Sequence, residues 1–278
     1  MTAPSTAGSA VMTWRDGAAP QPSGIARGLE RAIALVYGVA YDRVVSGFTP
    51  YQTLLDDIVD VLARAEGGRP LRILDVACGT GTLARRLAEA GHVVTGLDTV
   101  PALVEAARRR TPPALADRLA FTARDVALAG PPGVLAYDVV VALHTIYWHP
   151  YPERLLRACW AALRPGGHAI VVAYSRAATV RRTLASVWRA DGAAAAASAL
   201  RWLVPTAVFE AFRRIPKRYV DDAGIRGALA RAGFLVRETR RTFLGGVSVI
   251  AWAQQVQPVD HDDAMGASSE VFHPNGRP

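Results

Sequence analysis

Apolar residues along the chain follow two rhythms that take turns. Short runs at Leu71–Val76, His92–Leu97, Arg118–Thr122 and Tyr137–Leu143 read as strands. Stripes at helical spacing, Thr82–Ala90, Pro101–Arg109 and Pro152–Leu163, fall among them, the second with proline in its first turn. The run over Tyr137–Leu143 is apolar without a break, as expected of a parallel strand covered on both faces. Arg164-Pro165-Gly166-Gly167 stops a helix, and His168–Ala173 reads as a fifth strand. Such alternation predicts βαβ units and an α/β fold, a parallel sheet with helices on both faces.

Beyond the fifth strand the regularity lapses. Residues 176–219 are rich in Ala and Arg, with helical stretches that carry Trp188, Trp202, Phe209 and Phe212, and read as an inserted helical cap. Helix Asp221–Ala232 resumes the core, capped near Val220 or Asp221 and ended by Gly233. Strands Phe234–Thr242 and Val247–Ala253 follow, joined in hairpin fashion by Leu244-Gly245-Gly246. Ahead of the core, Ile25 to Leu62 carries helical periodicity in two pieces, broken near Ser46-Gly47 and Thr49-Pro50. The predicted organisation is a disordered start over 1–23, a helical lid over 24–66 and a core at 67–175 completed by 220–256. The cap occupies 176–219, and a flexible tail 257–278.

Composition narrows the setting. With 278 residues, 51% hydrophobic, the chain can build its core without disulfides or a metal. Cys78 and Cys159 form no ligand-spaced cluster and read as free thiols in a reducing cytoplasm. No charged segment followed by an apolar run opens the chain, and no apolar run is long enough to span a membrane. The net charge of +8 is nearly all arginine, Lys217 being the one lysine. Those arginines lie singly and in small groups along helices, which favours solvated faces, though some are available to an anionic partner.

The chemistry is concentrated after the first strand. Gly79-Thr80-Gly81-Thr82-Leu83-Ala84 has the G-x-G-x-x-A spacing that lets backbone and helix amides approach a ligand. Asp75, just ahead of this loop, would repel a pyrophosphate but suits a ligand with a positive amino group. Asp98 ends the second strand, where a carboxylate can take two ribose hydroxyls. Asp125 follows the third, where an acid can accept from an adenine amino group. Singly, Asp98 also reads as a helix cap and Asp125 as a turn residue. Together they predict one crevice at the carboxyl ends of the strands.

These residues resemble the class I S-adenosylmethionine-dependent methyltransferases. Leu74-Asp75-Val76-Ala77-Cys78-Gly79-Thr80-Gly81 resembles their first motif, and Gly96-Leu97-Asp98 their acidic second-strand end. Ala123-Arg124-Asp125-Val126 is similar to the adenine segment, Tyr137–Ala142 to the fourth strand, and Leu163–His168 to the turn into the fifth. The resemblance covers roughly Leu71 to Ala253. It implies a Rossmann-like, seven-stranded, mostly parallel sheet with an antiparallel last strand. It implies S-adenosylmethionine as cofactor and S-adenosylhomocysteine as product. The methionine part would lie along Ala77, Cys78, Gly79, Gly81 and Thr82, with Asp75 near its ammonium. Asp98 and Thr99 would meet the ribose, Asp125 and Val126 the adenine, and Leu143 and His144 the methyl-transfer side. Tyr37 and Tyr41 resemble lid residues that fold over the cofactor.

Leu143-His144-Thr145-Ile146-Tyr147-Trp148-His149-Pro150 supplies the residues for catalysis. His144 and His149 are the base candidates, and Tyr147 a positioning or donor group. Each also has a plainer reading as pocket wall or hydrogen-bonded structure. Where relatives carry an acid, this chain has Tyr151 before Pro152. The spacing of the two histidines does not fit a metal site. No Asn/Asp-Pro-Pro-Tyr/Phe motif follows the fourth strand and no basic nucleic-acid module is recognisable, so the expected partner is a small-molecule acceptor rather than nucleic acid. A secondary metabolite methylated on O, N or C is the leading expectation. A quinone or phospholipid head group at a membrane surface, and a non-catalytic or non-methylating cofactor-binding protein, are the alternatives. A homodimer is left open.

Overall fold

The computed structural model describes residues 48–176, 180–212 and 218–256. Helix α1 (Thr49–Glu66) leads into β1 (Arg72–Val76), α2 (Thr82–Glu89), β2 (Val93–Asp98) and α3 (Pro101–Arg109). After a 3₁₀ turn at Pro113–Leu115 come β3 (Leu119–Ala123), α4 (Val126–Ala129), β4 (Tyr137–Leu143), α5 (Pro152–Ala162) and β5 (Leu163–Tyr174). Helix α6 (Val180–Phe212), α7 (Asp222–Arg231), β6 (Phe234–Thr242) and β7 (Ser248–Gln255) complete the chain. The seven strands form one sheet in the order β3-β2-β1-β4-β5-β7-β6. Strands β1 to β5 pair in parallel, and β7 runs antiparallel between β5 and β6. This is the α/β sheet that the alternating pattern predicts, with the Rossmann-like order and antiparallel last strand that the family resemblance implies.

Period-two alternation sorts side chains into two cores, one on each face of the sheet. Ile73, Val139, Val141, Ile170 and Val172 join α1, α2, α3 and part of α6. Leu74, Val140, Ala142, Val171 and Ala173 join α4, α5 and α7. The unbroken apolar run of β4 thus has a layer of helices on either side. In α1, Leu54, Leu55, Ile58 and Leu62 are fully buried, so this part of the region expected to be a lid is built into the core. Tyr37 and Tyr41 lie outside the described residues.

Three elements depart from the sequence reading. The expected stop at Arg164–Gly167 falls within β5, but the β4 register jumps from Tyr137↔Leu163 to Val139↔His168. Residues 164–167 therefore stand out of the ladder. A Cβ on Gly167 would lie 2.9 Å from the carbonyl oxygens of Arg164 and Asp138, so this tight excursion requires glycine. The cap helix α6 is interrupted at Gly192, whose φ of 85° and ψ of 178° break it into two segments. The short helix α4, too brief to show periodicity, has no counterpart in the sequence reading; Asp125 caps it by accepting from the amides of Ala127 and Leu128.

Candidate functional site

Strand β1 ends in a loop whose backbone is turned back on itself. Ala77, Gly79 and Gly81 all have positive φ, at 60°, 56° and 77°. The Cys78 amide donates to the Leu97 carbonyl, which carries the β1–β2 hydrogen bonding into the loop, two residues past Val76. The Phe121 ring fills the space beneath. A Cβ on Gly81 would meet it at 2.7 Å, and one on Gly96 at 2.6 Å. Gly79 differs: a Cβ there would touch nothing within 4 Å, so its surface faces open space. Helix α2 starts at Thr82, and Gly81 at its N-cap brings no side-chain hydrogen bond to the first turn.

Asp98 fastens this loop. Its Oδ2 accepts from the Gly79 amide at 2.9 Å and its Oδ1 from Val100 at 2.9 Å. Burial raises the Asp98 pKa, against the opposing effect of the amides of Val100, Gly79 and exposed Thr99. Asp75 is 2% exposed, and its Oδ2 has no hydrogen-bond partner. Burial first, and then the charge of Asp98, push Asp75 up to about 7. A buried, unpartnered carboxylate is costly, and a cationic ligand group would offset that cost. The half-buried Cys78 thiol is raised well above its ordinary value, by burial and then by the two acids, so it stays protonated.

Asp125 does not share this enclosure. Burial pushes its carboxyl up, but His149 and the amides of Ala127 and Leu128 outweigh that and hold it below the usual range. His149 Nε2 lies 3.7 Å from Asp125 Oδ1, and His149 Nδ1 accepts from the Tyr151 amide at 3.1 Å. At 5% exposure, with its carbonyl held by Arg218, His149 braces the loop after β4. Val126 is buried in the first turn of α4.

His144 sits differently. It has a φ of 52°, and its amide donates to Val172 at the end of the sheet. Its ring stacks on Tyr174, with centroids 4.0 Å apart and planes at 5°, and tilts against Phe243 at 5.3 Å. Nε2 lies 2.9 Å from the Ser248 hydroxyl, and Nδ1 has no hydrogen bond among the described residues. Part of His144 remains accessible, yet burial of the ring lowers its pKa to about 3, and it is neutral at physiological pH. Tyr147 is buried and meets Tyr174 edge-on at 4.9 Å, and Leu143 is half-buried beside the core of α1–α3. Tyr174, Phe243 and Ser248, which surround His144, come from β5, the β6–β7 turn and β7 and carry no sequence signal. Among the described residues no group of three or more His, Cys, Asp or Glu is placed to hold a metal, and no helix is long and apolar enough to cross a membrane.

The glycine loop, its open face at Gly79 and the orphaned Asp75 oxygen fit a nucleoside with a positive amino group. Comparison with known proteins agrees. Residues 74–169 match the family described as a methyltransferase domain. A ubiquinone biosynthesis O-methyltransferase of Vibrio vulnificus is 34% identical over 108 residues, which are 39% of this chain and 46% of that protein. The chain thus spans about half the length of the curated relatives it matches. Among solved structures, the magnesium protoporphyrin IX methyltransferase of Synechocystis with bound S-adenosylhomocysteine superposes with a TM-score of 0.58 at 20% identity, over 81% of this chain and 99% of that one. The 1,6-didemethyltoxoflavin-N1-methyltransferase of Burkholderia thailandensis, with bound substrate and S-adenosylhomocysteine, gives 0.58 at 18% identity, over 86% and 93%. Over residues 74–169 the chain matches a methyltransferase domain, and its fold is that of solved methyltransferases that hold S-adenosylhomocysteine.

Proposed function

We propose that the protein moves a methyl group from S-adenosylmethionine to an O, N or C atom of a small molecule. The observation that carries this is the buried Asp75 carboxylate, unpartnered at Oδ2, at the entrance to an uncapped glycine loop. Asp75 would face the cofactor's ammonium, and the Ala77–Thr82 backbone its methionine part. Asp98, held by the Gly79 amide, would take the ribose, with Thr99 beside it. Asp125 and Val126 would border the adenine. When bound, the cofactor supplies an electrophilic methyl on a sulfonium, and the thioether S-adenosylhomocysteine leaves.

His144 is the residue we place at the acceptor. With Nε2–H donated to Ser248, Nδ1 carries a lone pair that can accept the acceptor's O–H or N–H proton. A base with a pKa near 3 takes that proton only as methyl transfer acidifies it. Tyr147, Tyr174 and Phe243 would hold an aromatic acceptor and exclude water. His149, turned to Tyr151 and Asp125, would position this loop. The cap at 176–219 would close the acceptor side. A second reading, a phenol of a quinone precursor as acceptor, is favoured by the relatives named for ubiquinone biosynthesis.

The test is turnover. Incubated with S-adenosylmethionine and panels of phenols, amines and quinone precursors, the protein should form S-adenosylhomocysteine with at least one acceptor class. Cofactor binding with no product from any panel would leave it a cofactor-binding protein without transfer.

A further inference from the structure

A cleft of about 880 Å³ opens where the first segment of α6 meets the turn between β6 and β7. Its lining carries Arg176, Arg181, Arg189 and Ser186, over the buried apolar side chains of Leu244 and Val247. No acidic residue is among the lining residues. Neighbouring arginines are neutralised: Arg240 pairs with Asp57 at 3.0 Å and Arg241 with Asp222 at 3.7 Å. Arg181 and Arg189 have no such carboxylate among the described residues.

The arrangement follows from helix geometry. Arg181, Ala185 and Arg189 recur at intervals of four residues and share one face of α6. The two arginines start about 12 Å apart along the axis, and the small Ala185 keeps the wall between them open. Arg176 donates to the Gly245 carbonyl at 3.3 Å, which holds it on the opposite wall. A Cβ on Gly245 would lie 3.0 Å from the Ser186 hydroxyl, so the turn and α6 meet closely there. The cleft also shares its chain segments with the His144 stack. Phe243 precedes Leu244, Ser248 follows Val247, and Tyr174 stands two residues before Arg176.

We propose that this cleft binds an oxyanion, a carboxylate or phosphate, carried by the methyl acceptor. Planar guanidinium groups match such oxygens in pairs, and an apolar floor strengthens the attraction by keeping water away. An acceptor anchored here by its anionic end would present its body to Tyr174, Phe243 and His144. The inference rests on the methyltransferase reading above.

Calorimetric titration at constant ionic strength, with inorganic phosphate, benzoate and phosphatidylglycerol vesicles as probes, tests it. The wild type should bind phosphate or benzoate in preference to chloride, and Arg181→Gln/Arg189→Gln should weaken this at least tenfold. A charge-matched control, Arg109→Gln/Arg157→Gln, should bind as the wild type does. S-adenosylmethionine affinity, measured on the same samples, should be equal in all three. Equal anion binding by both double variants, no anion binding by the wild type, or binding of vesicles alone would overturn the cleft assignment. With cofactor affinity retained, each of those results leaves the methyltransferase reading standing; loss of cofactor binding in the wild type removes that reading instead.

Discussion

Replacing Asp75 by Asn should make the ligand-free protein more stable at alkaline pH while impairing its binding site. Burial and the neighbouring Asp98 place the Asp75 carboxyl at about 7, against an ordinary value of 3.8 in the unfolded chain. Between those values the folded chain binds more protons than the unfolded one, so stability falls as pH rises through that window. At 1.36 kcal/mol per unit, the full gap sets an upper bound of about 4 kcal/mol at pH 8. Local relaxation and water penetration reduce this to about 2 kcal/mol. Asp75→Asn leaves a neutral group in the same place, and should raise the melting temperature at pH 8 by roughly 4–8 °C. Near pH 4 the gain should vanish. The same carboxyl gives a second readout. An ammonium beside it favours the ionised form, so at pH 7 cofactor binding should release about half a proton from Asp75 in the wild type and none from that position in Asp75→Asn. Calorimetry in two buffers of different ionisation enthalpy detects this. A variant that melts lower than the wild type at pH 8, or a wild-type binding heat that is the same in both buffers, would mean that Asp75 is not a buried, protonated carboxyl.

Other substitutions test other parts of the site. Asp98→Ala leaves the Gly79 and Val100 amides without their acceptor and should weaken S-adenosylmethionine binding by about 1–3 kcal/mol, measured by titration. His144→Ala should slow transfer by about 10²-fold with cofactor affinity intact. Because His144 titrates at about 3, the wild-type pH–rate profile should show no inflection near 6.5 that this substitution removes. Gly96→Ala drives a methyl into the Phe121 ring and the Cys78 sulfur and should cost about 1–3 kcal/mol in denaturant melts, with Phe121→Leu recovering part.

The fold was legible because its signals are local and repeated. Strand β4, helix α3 and strand β6 carry unbroken runs, a proline start or clear flanking turns, and each lies at the bounds that pattern predicts. Helix α4 is too short for any periodicity, and the Gly192 break in α6 is hidden in an alanine-rich run where glycine alone does not mark a kink. At the site, Asp75 and Asp98 are brought together because β1 and β2 are adjacent and in register, Asp75 opposite Gly96. Asp125 has the same strand-end position in sequence, but its side chain turns to the α4 amides and to His149, a choice made by contacts across the fold. The two histidines look equivalent along the chain. Tertiary partners separate them, Ser248 and Tyr174 for one, Tyr151 and Asp125 for the other. The arginine cleft was invisible because α6 and the β6–β7 turn that wall it lie about 60 residues apart in sequence.

The most direct test of the account is titration of the purified protein with S-adenosylmethionine, S-adenosylhomocysteine and NADH. The orphaned Asp75 carboxylate and the open Gly79 backbone predict micromolar binding of the first two and none of the third. Binding of NADH, or no binding of either sulfur nucleoside, would contradict it.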